Sequence, residues 1–338
     1  MTTKLSRYCE GIMEAAWLAA VIVVPVFFNI YSSRIFEPDK LALLRSLALI
    51  ILGAWLVKIV DEGGVLREKN VPWHKAIWQV PIVPQVVLLA IIYIIATIFS
   101  VTPRVSLWGS YQRLQGTYTT LSYMVIFAAI VGNLRRHKQV ERLLTATIIA
   151  SLPVGLYGIL QRYEIDPVPW GGNVVRRIAS NMGNSIFIAA YLIMAFPITV
   201  GRIIDSFTAI LKETEGLGTH ILRGTIYVFV AAIQIIAIYL SGSRGPMLGL
   251  LAGSFFLFLI LSLYWRKRWL TISVVALAIL GVISLVLLNI PNGPLESIRN
   301  APWVGRFSQM LDTGQRTSQV RILIWEGASE LVSPHEPL

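Results

Sequence analysis

Ser241-Gly242-Ser243-Arg244-Gly245-Pro246-Met247-Leu248-Gly249-Leu250 joins two long apolar runs, 221–240 and 247–264. A short polar reversal with one arginine between runs of that length reads as a turn at a membrane surface, flanked by two spanning helices. Gly242 and Gly245 permit the positive φ values that a tight reversal needs, and the fixed φ of Pro246 suits the first position of the helix that follows. Arg244 then stands beside a helix N-terminus, where a fixed cation and unpaired N–H donors converge in an arrangement suited to phosphate.

Working outward, apolar runs of comparable length recur along the whole chain, at 13–29, 41–59, 77–99, 114–134, 143–160, 186–204, 221–240, 247–264 and 269–290. Each is long enough, or nearly so, for the roughly 20 residues that a helix needs to cross the hydrocarbon core. The expected fold is all-α, a polytopic transmembrane helix bundle of about nine spans, with residues 1–290 as the membrane domain. Composition agrees: 55% of residues are hydrophobic and only 14% charged, and the mean hydropathy is +0.68, values outside the range of soluble domains. In such a chain a net charge of +11 belongs with cytoplasmic loops and anionic lipid, so nucleic acid is excluded as a partner. Cys9 is the one cysteine, which rules out an intramolecular disulfide framework and any cysteine-rich metal site. The run at 13–29 lacks a cleavage site and is followed by further spans, so it is not a removable signal.

Orientation follows from the loops, since Lys and Arg concentrate on the cytoplasmic side. With the N-terminus inside, the outer connections hold only Arg34, Lys40, Arg45, Arg104, Arg113, Arg162, Arg176, Arg177 and Arg244, fewer than the inner ones. Residues 291–338 then begin a large extracytoplasmic loop with a helix expected at 321–331, opened by Arg321. The chain stops in Ser333-Pro334-His335-Glu336-Pro337-Leu338, which reads as a truncation inside that loop.

The outer cations are nearly all arginine, the better bidentate partner for phosphate. Arg113, Arg177, Arg244 and Arg321 each fall near an expected helix end and together suit a diphosphate held at the membrane surface. Snorkelling to lipid headgroups is the plainer role for any one of them. Glu37-Pro38-Asp39 is an acidic pair that could share a divalent cation, or Asp39 could cap the next helix; the first reading is the weaker, and no metal or cofactor is expected. His74, His137 and His220 fall on the inner side, which leaves His335 as the candidate general base on the outer face. The spans themselves carry almost no ionisable groups, Glu14 at the inner boundary apart, unlike those of proton-coupled transporters.

Four segments carry a resemblance. Gly109-Ser110-Tyr111-Gln112-Arg113-Leu114-Gln115-Gly116, Gly183-Asn184-Ser185-Ile186-Phe187-Ile188-Ala189-Ala190-Tyr191-Leu192, Ser243-Arg244-Gly245 and Arg321-Ile322-Leu323-Ile324-Trp325 resemble, in order and position, the bacterial O-antigen ligase and polymerase superfamily. The resemblance implies a glycosyltransferase-C-like, metal-independent, inverting enzyme of the inner membrane that moves a glycan from a polyprenyl-diphosphate carrier to a hydroxyl of a glycan, lipid core or protein. It implies that Arg244 and Arg321 hold the carrier diphosphate and that a histidine of the large outer loop deprotonates the acceptor; charge and location add Arg113 and Arg177 as supporting contacts. His335 does not sit in the family's Ala-His-Asn-like motif, and Gly183-Asn184-Ser185-Ile186 stands where relatives often have Gly-Asn-Pro-Asn. The 338-residue chain is therefore expected to lack activity alone. A lipid-linked-glycan transporter and a non-catalytic lipid-binding membrane protein remain the alternatives.

Overall fold

The computed structural model describes residues 3–63, 80, 82–166, 168, 175–212, 216–290, 295 and 316–332, and these are helical with turns between. In chain order the helices are α1 (Lys4–Val26), α2 (Pro38–Glu62), α3 (Val83–Ile98), α4 (Pro103–Trp108), α5 (Thr117–Asn133), α6 (His137–Arg162), α7 (Ser185–Leu211), α8 (Leu217–Ser241), α9 (Arg244–Tyr264), α10 (Arg268–Asn289) and α11 (Arg316–Val332), with a 3-10 turn at Ser180–Met182 before α7. Among them α1, α2, α6, α7, α8, α9 and α10 are long and apolar enough to cross a membrane. The protein is a polytopic helical membrane protein.

All nine expected spans coincide with helices, but α3 and α5 are shorter than the rest. At α3 the first residues of the expected run lie outside the described residues. At α5 the shortfall is structural: Leu114 adopts φ 51° and belongs to a loop, so the helix opens only at Thr117.

The chain divides into two compact units, Met1–Ser241 and Gly242–Leu338. In the first unit, α1 packs on α2 and α6, α2 on α5, and α8 on both α6 and α7. Small residues allow the close approaches, as expected where dispersion rather than water expulsion holds helices together. A Cβ added at Gly155 would come 2.9 Å from Ile233 Cγ2, and one at Gly158 would come 2.9 Å from Ile178 Cδ1 and Ile188 Cδ1. Met13, Trp17, Ile51 and Ala129 form the buried centre between α1, α2 and α5.

The helices of the first unit alternate in direction, which its polar contacts show. At one end, Asn181 Nδ2 donates to Pro25 O at 2.5 Å and Lys40 Nζ to Asn181 O at 2.9 Å. At the opposite end, Lys58 Nζ donates to Glu10 Oε1 and Asn133 Oδ1, both at 2.8 Å. The connections expected to share the outer face that lie in this unit, 27–37, 99–116 and the described residues of 163–184, meet at the first of these ends, here called the arginine end.

In the second unit α9 packs on α10, and Thr271 Oγ1 lies 3.1 Å from Ser262 Oγ. Both helices turn most of their apolar side chains outward, as helices bathed in lipid do. The connection at 241–250 is shorter than expected: α8 ends at Ser241 and α9 begins at Arg244. Gly242 has φ 58°, as expected. Gly245 is helical instead, and Pro246 is the third helical residue, where its missing N–H still falls outside the intrahelical ladder.

Candidate functional site

The arginine end is built around a side chain that the loop count concealed. Arg45 lies inside α2 and is 7% exposed. Its Nε donates to Thr119 Oγ1 at 2.9 Å, and its Nη2 to Trp108 O at 2.9 Å and Leu114 O at 2.5 Å. The guanidinium also sits 4.7 Å from the centroid of the Tyr118 ring. One cation thus ties α2 to both ends of the loop 109–116, whose Leu114 carbonyl additionally accepts from Thr119 Oγ1 at 2.6 Å. Sequence offered a signal for it, since an ionisable residue within a span is costly and demands a partner.

The two glycines that bound this loop close it. Gly109 has φ 85°, and a Cβ there would come 2.4 Å from Gln115 N; one at Gly116 would come 2.4 Å from Gly109 N. The ends of the loop approach each other where a side chain would collide, so Gly109 and Gly116 let the segment close tightly, with Gln112 and Arg113 between them.

A second anchor fixes the approach to α7. Gln161, 1% exposed, accepts at Oε1 from Ser180 N at 2.6 Å and Ala179 N at 3.3 Å. Ser180, at φ 53°, has its Oγ 2.7 Å from Val154 O and 2.9 Å from Asn181 Oδ1. Gly183 follows at φ 70°, and Asn184 caps α7 by accepting from Ile186 N at 2.8 Å.

Between these two built segments and the loop before α2 lies a cleft of about 430 Å³, lined by Ser33, Arg34, Ile35, Phe36, Glu37, Pro38, Gln112, Arg113, Met182, Gly183, Asn184 and Phe187. Arg113 Nε stands 3.7 Å from Glu37 Oε2 across it. Two of the four family-like segments therefore converge on one cavity of the first unit.

The expected site residues separate as follows. Arg113 is in the cleft, joined by Arg34 rather than by Arg177. Arg177 donates from Nε to Ser241 O at 3.2 Å and does not line the cleft. Arg244 is the first residue of α9. Arg321 lies within α11, which starts at Arg316 rather than at Arg321; its side chain lies outside the described residues. Both belong to the second unit. His74 and His335 also lie outside the described residues.

The acidic pair is divided between partners, and the capping reading of Asp39 is corrected. Glu37 faces Arg113, while Asp39 Oδ2 accepts from Asn29 Nδ2 at 2.7 Å. The helix starts at Pro38, so Asp39 is in its first turn and does not cap it. Among the described residues no group of three His, Cys, Asp or Glu side chains is placed to hold a metal ion.

Comparison with known families matches residues 229–338 to the family described as O-antigen ligase. The matched stretch includes Ser243-Arg244-Gly245 and Arg321-Ile322-Leu323-Ile324-Trp325. Comparison with curated proteins and with solved structures finds no match. The family match supports glycan transfer in the synthesis of envelope polysaccharide, by a membrane enzyme of the ligase or polymerase kind.

Proposed function

We propose that this chain is a membrane protein of the O-antigen ligase and polymerase superfamily and that it serves transfer of a glycan from a polyprenyl-diphosphate carrier to an acceptor hydroxyl. The observation that carries the reading is the family match over residues 229–338, which covers both Arg244 and Arg321. Arg244 opens α9, a helix of 21 residues, where guanidinium charge adds to the positive end of the helix macrodipole. With Arg321 it holds the diphosphate and, as the glycosidic oxygen leaves, neutralises the charge that develops there. Such fixed charge in a water-poor site supplies much of the catalysis that a metal would otherwise provide. The reaction is metal-independent and inverting.

The arginine end of the first unit faces the periplasm and the opposite end the cytoplasm, in the inner membrane, with residues 291–338 starting an outer loop. Arg113 and Arg177 support the donor from that end. The partners are a lipid-linked glycan donor, an acceptor hydroxyl on glycan, lipid core or protein, and membrane lipid. What favours an anionic donor here is electrostatic: Lys40, Arg45 and Arg162 are held by neutral carbonyl oxygens, which fix their positions without cancelling their charge.

The test is Arg244→Ala, read as polyprenyl-diphosphate binding by the purified chain and as glycan transfer in cells, beside Arg104→Ala as a control. Loss of about a hundredfold or more is expected for Arg244→Ala and little change for Arg104→Ala. Equal binding and transfer by Arg244→Ala and the parent chain would sink the assignment.

A further inference from the structure

We propose that the cleft of the first unit is a subsite for a neutral sugar ring, and that Glu37, with Arg113, is its principal hydrogen-bonding pair. The inference rests on the glycan-transfer reading and names the part of the substrate that the cavity around Arg113 takes.

The pairing of Arg113 with Glu37 argues for a polyol over a phosphate at this point of the cleft. Arg113 already faces a carboxylate, Glu37 Oε2, at 3.7 Å, so a diphosphate entering here would have to displace one anion and then sit beside it. A sugar hydroxyl meets no such cost, because each hydroxyl is at once a donor and an acceptor. One hydroxyl can donate to Glu37 while it accepts from Arg113, and the 3.7 Å gap between them is already longer than a hydrogen bond. Gln112 and Asn184 add amides on two sides of the cavity. The carbonyl oxygen of Asn184 serves Ile186 N, so its NH2 is the group it offers a ligand.

The apolar part of the lining fits the same ligand. Phe36 and Phe187 give the cleft two aromatic faces, and a pyranose presents a flat patch of C–H groups between its hydroxyl edges. Phe36 is held in place by Gly183: a Cβ there would come 2.3 Å from Phe36 Cδ2. That ring and the φ 70° backbone of Gly183 make a preformed wall, which lowers the ordering cost of binding. The volume of about 430 Å³ falls within the range of small-ligand sites.

The experiment is photo-crosslinking of the purified full chain with a diazirine-bearing methyl hexopyranoside, mapped by peptide mass spectrometry. Label is expected on peptides holding 33–38, 112–113 or 182–187. Excess unlabelled methyl hexopyranoside should remove it, and inorganic pyrophosphate should not. Glu37→Gln should lower labelling roughly tenfold or more, since a charged acceptor is lost; if that variant fails to fold, the competition in the parent chain decides alone. A second probe, a short prenyl-diphosphate sugar carrying the same diazirine, identifies the source of the ring. Cleft labelling by this probe means the donor sugar, and labelling by the free glycoside alone means the acceptor; either supports the subsite. Label outside the cleft, competition by pyrophosphate, or labelling by a folded Glu37→Gln equal to that of the parent overturns it. Because the readout needs no transfer, its failure leaves the Arg244 result standing, and a failed Arg244 test leaves the subsite standing.

Discussion

The two ends of the first unit are made by the same helices and, Arg113 opposite Glu37 apart, stabilise their cations in opposite ways. At the end where α1 begins, positive charges meet carboxylates: Lys58 with Glu10 at 2.8 Å, Arg142 with Glu14 at 2.5 Å, and Arg202 with Glu141 at 2.5 Å. Hydroxyls there also go to acids, Ser6 to Glu62 at 2.5 Å and Thr3 to Asp61. At the arginine end, buried Arg45 and half-buried Lys40 meet backbone: Arg45 binds the carbonyls of Trp108 and Leu114, and Lys40 that of Asn181. A carboxylate cancels charge and closes an end; a carbonyl positions a side chain and leaves its charge to act on whatever arrives. The difference teaches where binding belongs, because a field that attracts an anionic carrier needs cations that are held but not neutralised.

The largest effect that sharpens this contrast is expected at Arg45. Arg45→Ala removes three hydrogen bonds, takes the side-chain donor from the Trp108 carbonyl and opens a cavity, for a loss of about 4 kcal/mol. Arg45→Lys should recover only part of it, since an ammonium cannot span the forked set of acceptors. Amide hydrogen exchange of the solubilised protein should rise across 109–119 and stay unchanged at 3–14 and 133–142. A rise shared equally by both ends would break the idea that each end is secured separately.

Next in size is Lys58, where the partner can be changed as well. Lys58→Met alone leaves Glu10 and Asn133 without their donor and should cost about 2 kcal/mol. Adding Glu10→Leu should restore a good part of that, because replacing both members of a buried pair removes the stranded charge. Thermal unfolding of the two variants measures the recovery. No equivalent rescue exists for Arg45, whose partners are mostly main-chain atoms that no substitution removes. A double variant no more stable than Lys58→Met would show that the pair acts as two independent residues.

The sequence made this contrast only half legible. The spans were readable because apolar length alone requires them, and alternate connections share one end because successive spans alternate in direction. Arg45 was counted as a loop cation although it falls within the run 41–59, and so the clamp on 109–116 was missed. With it went the reason that α5 opens at Thr117 instead of Leu114: Arg45 Nη2 holds the Leu114 carbonyl out of the helix. The cleft was illegible for a different reason. Phe36, Arg113 and Asn184 are far apart in the chain, and only tertiary packing of Phe36 on Gly183 brings their segments to one cavity. The motifs at 109–116 and 183–192 were visible as motifs, whereas their convergence was not.

The smallest expected effect tests the contrast from its weakest side. Arg142 Nη2 lies 2.5 Å from Glu14 Oε1, but the arginine side chain is 51% exposed while that of Glu14 is 18% exposed. Water and salt screen such a pair, so Arg142→Gln should cost only about 0.5 kcal/mol. Part of even that is recovered locally, because Gln139 Nε2 already donates to Glu14 Oε2 at 3.2 Å and keeps the carboxylate partnered. The effect should fade as salt is raised, since the Debye length shrinks to about 3 Å at 1 M. The Arg45 effect should persist at the same salt, because its acceptors are uncharged and the group is buried. Thermal unfolding of both variants at low and high salt separates the two. If Arg142→Gln proved as costly as Arg45→Ala and equally indifferent to salt, exposure would not be what distinguishes the ends, and the assignment of the closed end to charge pairing and of the open end to carbonyl clamps would fail.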